Sequence, residues 1–345
     1  MRGERTLVPS MILRETPHEM GGGHSREELV ELSCEAIRHG SRSFASASQL
    51  FGRYTREKVW LLYAWCRRCD DIADNQKLGG DLGEQSRKHD RVGAIRILTA
   101  RALDGLPTAD PAFDAFGVVA KECGITTRMT EDVITGFEMD ADDWRPRTED
   151  DLLRYCYHVA GAVGVMMAVV MGVSPHDDEV LDRACDLGMA FQLANIARDI
   201  YEDDAAGRCY LPIEWLVEED VEPGQHMKPH HRQELVDMVA RLVDLMDTHA
   251  AAARIGTKSL SFRNRWAVLA ATKIYTGIGH EVRQRGPAAW DHRVRISRLD
   301  KARFISSSFW ESLRNRPERV PLPQWKRELL GPAAGNGGVS TPLMG

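Results

Sequence analysis

The stretch "FQLANIARDIYEDDAAGRCYLP" (191–212) starts as an apolar helix face and ends in acid. Asn195, Asp199 and Asp203 recur at intervals of four, so on a helix three oxygen-bearing side chains form one stripe. "CRRCDDIAD" (66–74) repeats the pattern, with Asp70 and Asp74 four apart and Asp71 just off their face. The first stretch follows "LGMA" and the second follows "VWLLYAW", so both acidic stripes extend apolar faces. Burying unpaired carboxylates is costly, and a metal or an arginine must compensate.

One such pair says little, because exposed helices carry them often. Two stripes facing each other would make an oxygen-rich site suited to a hard divalent cation. Magnesium characteristically takes one or two carboxylates plus phosphate oxygens from a substrate. Arginines flank both clusters: Arg67 and Arg68 before the first, Arg198 within the second and Arg208 after it. Guanidinium groups bind phosphates through paired hydrogen bonds. Metal-bridging acids beside phosphate-binding bases point to a diphosphate.

Working outward, the pattern is helical almost throughout. Apolar residues recur at helical spacing over 56–74, 86–103, 111–123, 130–140, 149–171, 177–204, 232–253, 265–282 and 296–313. No alternating strand runs, βαβ rhythm or solenoid repeat is present. Gly- and Pro-containing stretches at 77–84, 105–111 and 221–231 read as loops. The expectation is one large all-α domain over 25–325, with flexible ends at 1–24 and 326–345.

The 345 residues are 43% hydrophobic and 28% charged, ample for a full core. With 45 basic against 51 acidic side chains, the formal charge of -6 argues against a nucleic-acid partner. Seven cysteines without regular spacing argue for reduced thiols and a cytoplasmic setting. Cys66 and Cys69 form a lone CxxC with no second pair, which reads as two helix thiols rather than zinc ligands. The N-terminal residues have no continuous apolar core and do not read as a secretory signal. The run "VAGAVGVMMAVVMGV" (159–173) is short for a bilayer span and reads as a buried helix.

Taken together, "GSRSF" (40–44), "YAWCRRCDDIAD" (63–74), "YCYHVAGAVG" (155–164), "FQLANIARDIYEDDAAGRCYLP" (191–212) and the region 275–293 resemble the squalene/phytoene synthase family in order and spacing. The resemblance spans roughly residues 25–315, and "RYCYHVAG" and "AGRCYLP" look most like its bacterial phytoene-forming branch. It implies the all-α isoprenoid synthase fold, with a central apolar cavity and two facing acidic helices at its mouth. By the same resemblance Asp70, Asp74, Asn195, Asp199 and Asp203 would hold the metal, Mg2+ with Mn2+ as an alternative. Ser41, Arg42, Ser43, Phe44, Arg67, Gln192, Arg198, Arg208, Tyr275 and Arg293 would bind substrate, and Tyr155 would join the acids in catalysis. His158 stands where some members carry tyrosine, and is expected to be a hydrogen-bonded helix histidine.

The implied reaction is head-to-head condensation of two geranylgeranyl diphosphates, through a cyclopropylcarbinyl diphosphate, to phytoene. Such chemistry needs a dry cavity to protect an allylic cation. Gly161, Ala162, Gly164, Met166, Met167 and Val169 either form the cavity wall or pack helices closely. Making squalene instead would require a hydride. No strand followed by GxGxxG occurs here, "GIG" (277–279) falls inside a helical segment, and NADPH is not expected. The alternatives are a related synthase using two farnesyl diphosphates and a non-catalytic helical binding or assembly protein, which the completeness of both acidic clusters disfavours. An apolar product implies peripheral contact with the inner face of the cell membrane and hand-over to a downstream carotenoid enzyme. The only candidate anchor is the mixed segment "LVPSMIL" (7–13).

Overall fold

The structure, a computed structural model, describes residues 22–40, 42–76, 83, 86–314 and 327. Most of the expected flexible ends, the 7–13 segment, Ser41 and most of the 77–84 loop lie outside the described residues. The described residues contain helices and no strand. In chain order these are α1 (Arg26–Gly40), α2 (Arg42–Ser48), α3 (Arg53–Ala73), α4 (Lys88–Leu103), α5 (Pro111–Cys123), α6 (Thr127–Ala141) and α7 (Glu149–Cys156). A π-helical turn (Tyr157–Gly161) leads into α8 (Ala162–Val170), followed by α9 (Asp178–Ala205) and α10 (Ile213–Glu218). The set closes with α11 (Arg232–Gly256), α12 (Phe262–Arg285) and α13 (Arg298–Leu313).

Local chemistry sets several boundaries. Asp110 caps α5 ahead of Pro111, while Thr126, Thr148, Asp177 and Ser297 cap α6, α7, α9 and α13 through their side-chain oxygens. Asp74 closes α3 in helical geometry, its amide bonded back to the Asp70 carbonyl.

Two groups of helices enclose the core. In one, α3 packs between α1 and α5, with α4 and α6 alongside. Trp65 of α3 stacks on Phe116 of α5 at 4.4 Å, and both are fully buried. In the other, α9 is the axis, contacted by α8, the π turn, α11 and α12. Helix α6 joins the groups by packing on the π turn and α8. α3 and α9 are not packed along each other, and a cavity of about 350 Å³ lies between the groups.

The long apolar stretch departs from expectation in one way. The periodicity predicts one helix over 149–171, but a π turn interrupts it and re-phases the face that follows. Taken with the turns before it, Glu149–Val170 is long and apolar enough by composition to cross a membrane, although the 159–173 run alone is short for one. In the fold it lies largely inside the protein, and burial on several sides accounts for its apolarity. Its contact with α9 is backbone-close: a β-carbon at Gly188 would sit 2.2 Å from the Ala160 carbonyl oxygen, and one at Gly164 2.5 Å from that of Ala184. All seven cysteines are free thiols, Cys66 and Cys69 among them.

Candidate active site

Three helices reach the cavity with apolar spacing and end in acid. On α3 the lining residues are Tyr63, Cys66 and Asp70; on α6 they are Val133 and Phe137, followed at the mouth by Asp140. On α9 the lining residues include Gly188, Gln192 and Asn195, and the same spacing continues to Asp199 and Asp203. The last turns of α3 and α9 carry no basic residue. Acids at a helix C-terminus oppose the macrodipole, so neither cluster is placed there for helix stability.

An arginine links the two acidic segments. Arg208, just beyond α9, donates from Nη2 to Asp74 Oδ1 at 3.0 Å, tying the second acidic segment to the first. A polar recess of about 70 Å³ beside this bridge is lined by Asp70, Asp74, Lys88, Asp140 and Arg208. Burial pushes Asp70 up to about 7 against the pull of Arg67, with Asp74, Asp71 and Asp140 adding repulsion. Burial and the nearby Asp199 likewise push Asp203 up to about 7, against the pull of Arg208. The site therefore holds more negative charge than its arginines neutralise.

Asp140 is the residue that sequence spacing missed. Tyr155 and Tyr210 both donate their hydroxyls to its Oδ1 at 3.1 Å. The Tyr155 ring stacks between Trp144 and Tyr210, at 5.7 and 4.7 Å. Burial pushes Asp140 up to about 6, opposed by Arg208 and the two hydroxyl donors. The usable signal was the one that marked the other stripes: Val133, Phe137 and Asp140 continue an apolar face into acid, without a second acid four residues away to announce it.

The remaining residues fall into clear positions. Tyr155 is not a lining residue of the apolar cavity and reaches the site through Asp140. Arg67 donates to Asp71 at 2.9 Å, lies 3.8 Å from Asp70 and holds buried Asp71 out of the cavity. Arg68 turns away to Asp110, the cap of α5, at 2.5 Å. Arg198 and Arg293 both brace Asp199, at 2.5 and 2.8 Å, and Arg293 also reaches Glu202 at 3.2 Å. Phe44 stacks on Tyr63 at 5.3 Å, and Tyr275 stacks on Phe191 at 4.0 Å; all four rings line the cavity. Gln192 and Asn195 are adjacent on the α9 stripe, 3.5 Å apart. Arg42 and Ser43 open α2. His158 is buried, its Nδ1 2.8 Å from the Asp132 carbonyl oxygen, as a hydrogen-bonded helix histidine should be.

The wall of the cavity sorts the small and bulky residues. Gly164 and Met167 line it, whereas Gly161, Ala162, Met166 and Val169 are not among its lining residues. Gly164 also answers to packing, given the approach of the Ala184 carbonyl, and a β-carbon at Gly161 would sit 2.7 Å from Cys185 Sγ. Close helix packing thus accounts for the two glycines, and this segment's other contributions to the wall are Val159, Ala160, Val163, Ala168 and Met171.

The donors suit a metal shared with a substrate. Asp70, Asp74, Asp199 and Asp203 offer carboxylate oxygens and Asn195 an amide oxygen, all hard ligands. Among the described residues, no three acidic, histidine or cysteine side chains converge into a ready-made cage. A magnesium-like ion held by one or two carboxylates and completed by phosphate oxygens fits this arrangement. A closed all-protein site does not.

A family model described as squalene/phytoene synthase matches residues 37–300. A phytoene synthase of Pseudescherichia vulneris is 42% identical, covering 88% of this chain and 100% of that protein. A 15-cis-phytoene synthase of Pantoea ananas is 41% identical over 87% of this chain and 98% of its own. Another 15-cis-phytoene synthase, from a Paracoccus species, is 43% identical over 84% and 93%. The crystal structure of a dehydrosqualene synthase in complex with a ligand superposes with a TM-score of 0.74 at 26% identity, covering 83% of this chain and 97% of that one. A squalene synthase from Alicyclobacillus acidocaldarius shares the fold, with a TM-score of 0.66 at 23% identity over 78% and 98%. The helical fold is thus the isoprenoid synthase fold that the motifs imply, its relatives point to a prenyl diphosphate substrate and a divalent metal, and the chain belongs to the squalene/phytoene synthase family.

Proposed function

We propose that this protein is a prenyltransferase that condenses two geranylgeranyl diphosphates head to head, through a cyclopropylcarbinyl diphosphate, to phytoene. The observation that carries the reading is the junction of two environments. An apolar cavity opens directly onto two acidic stripes cross-linked by Arg208. The cavity shields the hydrocarbon and an allylic cation from water, and the charged mouth handles the diphosphate. When bound, Mg2+, or Mn2+ in its place, would neutralise diphosphate charge and so make it a better leaving group. Asp70, Asp74, Asn195, Asp199 and Asp203 would hold it. Arg67, Arg198, Arg208, Arg293 and Arg42 would orient the diphosphate oxygens. Phe44, Gln192 and Tyr275 would position the chain near the reacting carbons. Tyr155 acts through Asp140, whose ionised form its hydrogen bond favours. Phytoene formation needs no hydride, so NADPH is not required.

The choice of the C20 substrate rests on three bacterial relatives near 42% identity whose names specify phytoene. The test is to incubate purified protein with Mg2+ and either C20 or C15 diphosphate, without reductant. A C40 hydrocarbon from the C20 substrate is expected, whereas C30 product alone would replace this reading by the farnesyl-using one.

We also propose a cytoplasmic protein that meets the inner membrane surface to release its product. Exposed Phe262 and Trp310 flank Phe309 on α12 and α13, an aromatic surface suited to a lipid interface. Recovery of all activity in the soluble fraction at low salt would argue against this.

A further inference from the structure

Helix α13 is built partly inside out. Its two buried residues are serines, Ser308 and Ser312, and it packs on α12. Its large apolar side chains Leu299, Trp310 and Leu313 are 81%, 60% and 55% exposed. Their spacing puts Leu299, Arg303, Trp310 and Leu313 within roughly 80° of arc, on one outer face. A helix in water turns its apolar stripe inward, so this face is shaped for an apolar medium. The exposed charges of α13 are Arg298, Arg303 and Arg314 against Asp300. Glu311 is neutralised by Arg254 and Lys273. The basic excess is local, because the formal charge of the whole chain is -6. Ala267, Val268, Ala271 and Tyr275 line the cavity from one side of α12. Trp266 and Lys273, on its opposite side by helical spacing, donate to the Ile305 carbonyl and the Ser307 hydroxyl of α13.

We propose that the outer face of α13 docks on an anionic lipid surface, with α12 between the docked helix and the apolar cavity. This docking rests on the reading that the protein meets a membrane, and adds to it the face and the class of lipid. Trp310 suits the headgroup level, where an indole keeps its ring in the apolar layer and its N–H in water. Leu299 and Leu313, at opposite ends of the same face, enter the acyl boundary when α13 lies flat. Arg303, on that face, and Arg314, at its end, lay apolar stems along it and reach lipid phosphates with their charged heads. The charges decide between occupants. A second copy docked face to face would bring these arginines toward like charges, whereas an acidic headgroup layer meets them with opposite charge. At the start of α12 the docked surface and the cavity are two residues apart in the chain. Leu260 lines the cavity, and Phe262 is exposed against the edge of Phe309. An apolar product would therefore be made close to the lipid that dissolves it.

The test is flotation of the purified protein with vesicles of phosphatidylcholine, alone or mixed with phosphatidylglycerol. The wild-type protein should float with the mixed vesicles. Leu299→Ser, Trp310→Ser and Leu313→Ser together should cut its partition coefficient by about 100-fold or more. Arg303→Gln with Arg314→Gln should cut it by about 20-fold on mixed vesicles and change it little on phosphatidylcholine alone. None of these side chains belongs to the acidic mouth or the cavity lining, so both variants should keep wild-type turnover of the C20 diphosphate in detergent solution. Equal flotation of the wild-type protein and the triple variant would overturn the assignment of the face and leave the membrane reading standing. Failure of the wild-type protein to float with either vesicle would defeat both. A wild-type dimer that the triple variant makes monomeric, read by size-exclusion chromatography, would give the face to a second copy and overturn the proposal. If thermal melting shows that the triple variant does not fold, the arginine pair decides, and an unchanged response to phosphatidylglycerol overturns the proposal.

Discussion

Arg208 Nη2 lies 3.0 Å from Asp74 Oδ1, so the chain leaving the second acidic helix is pinned to the end of the first. Among the described residues Arg208 also lines the polar recess with Asp70 and Asp140. It is the cation most central to the acids. Hydrogen bonds to charged groups contribute about 1.5–3 kcal/mol, so Arg208→Ala should lower kcat/KM for the prenyl diphosphate by about 10- to 100-fold. Arg208→Lys keeps the charge without the fork and should recover only part of the loss. Steady-state kinetics decides this. Wild-type kcat/KM in Arg208→Ala would mean that the bridge is incidental.

Asp70 and Asp203 offer a second prediction, because each is pushed up to about 7 by burial before any other cause. A folded-state value above the unfolded one of about 4 means the folded protein holds the proton more tightly. The stabilising contribution is therefore complete below about pH 4 and is lost as pH rises through about 7. Metal-free protein should melt at a lower temperature at pH 8 than at pH 6. Asp70→Asn and Asp203→Asn should each flatten that slope and raise the melting temperature at pH 8, while cutting turnover by at least about 100-fold. A variant that loses activity and also melts lower at pH 8 would contradict the excess of negative charge.

The pair of tyrosines on Asp140 predicts a shift in the pH profile. Their hydroxyl bonds favour the ionised carboxylate and hold Asp140 down against burial, at about 6. Removing one donor leaves burial less opposed, so the Asp140 value rises. Tyr155→Phe and Tyr210→Phe should move the acid limb of the pH–rate profile upward, by an amount read from the profile itself. Each should also reduce the rate more at pH 6 than at pH 8. A uniform reduction at every pH would assign the tyrosines a packing role only, through the stack with Trp144.

Asp140 also marks where spacing along the chain stops being informative. Helix geometry turns an interval of four into a shared face, so the stripes at 70–74 and 195–203 were legible directly, as were nearly all the long helices. Which helices face each other depends on packing between them, and a single acid such as Asp140 announces no partner. The π turn at Tyr157–Gly161 was hidden for a related reason: an apolar run looks the same whether its helical phase slips or not. The short helices α2 and α10 and the N-terminal α1 carry too few turns, or too polar a face, to stand out by periodicity. Arg198 and Arg293 were legible as cations near the site, but not as two braces on one carboxylate, Asp199, since that depends on where the segment after α12 returns.

The ligand arrangement leads to a prediction about binding order. No three acidic, histidine or cysteine side chains among the described residues form a prebuilt cage. An ion that must complete its shell from phosphate oxygens should bind weakly alone and tightly together with diphosphate. Saturation at 100 times the dissociation constant stabilises a folded protein by about 2.7 kcal/mol. Millimolar Mg2+ alone should therefore change the melting temperature little, inorganic diphosphate alone should change it modestly, and the two together should raise it by several degrees. Asp199→Ala should abolish the joint increment while leaving most of the response to diphosphate alone, because Arg67 and Arg208 remain in place. A full response to Mg2+ without diphosphate would reveal a prebuilt metal site and would remove the basis for assigning the missing ligands to the substrate.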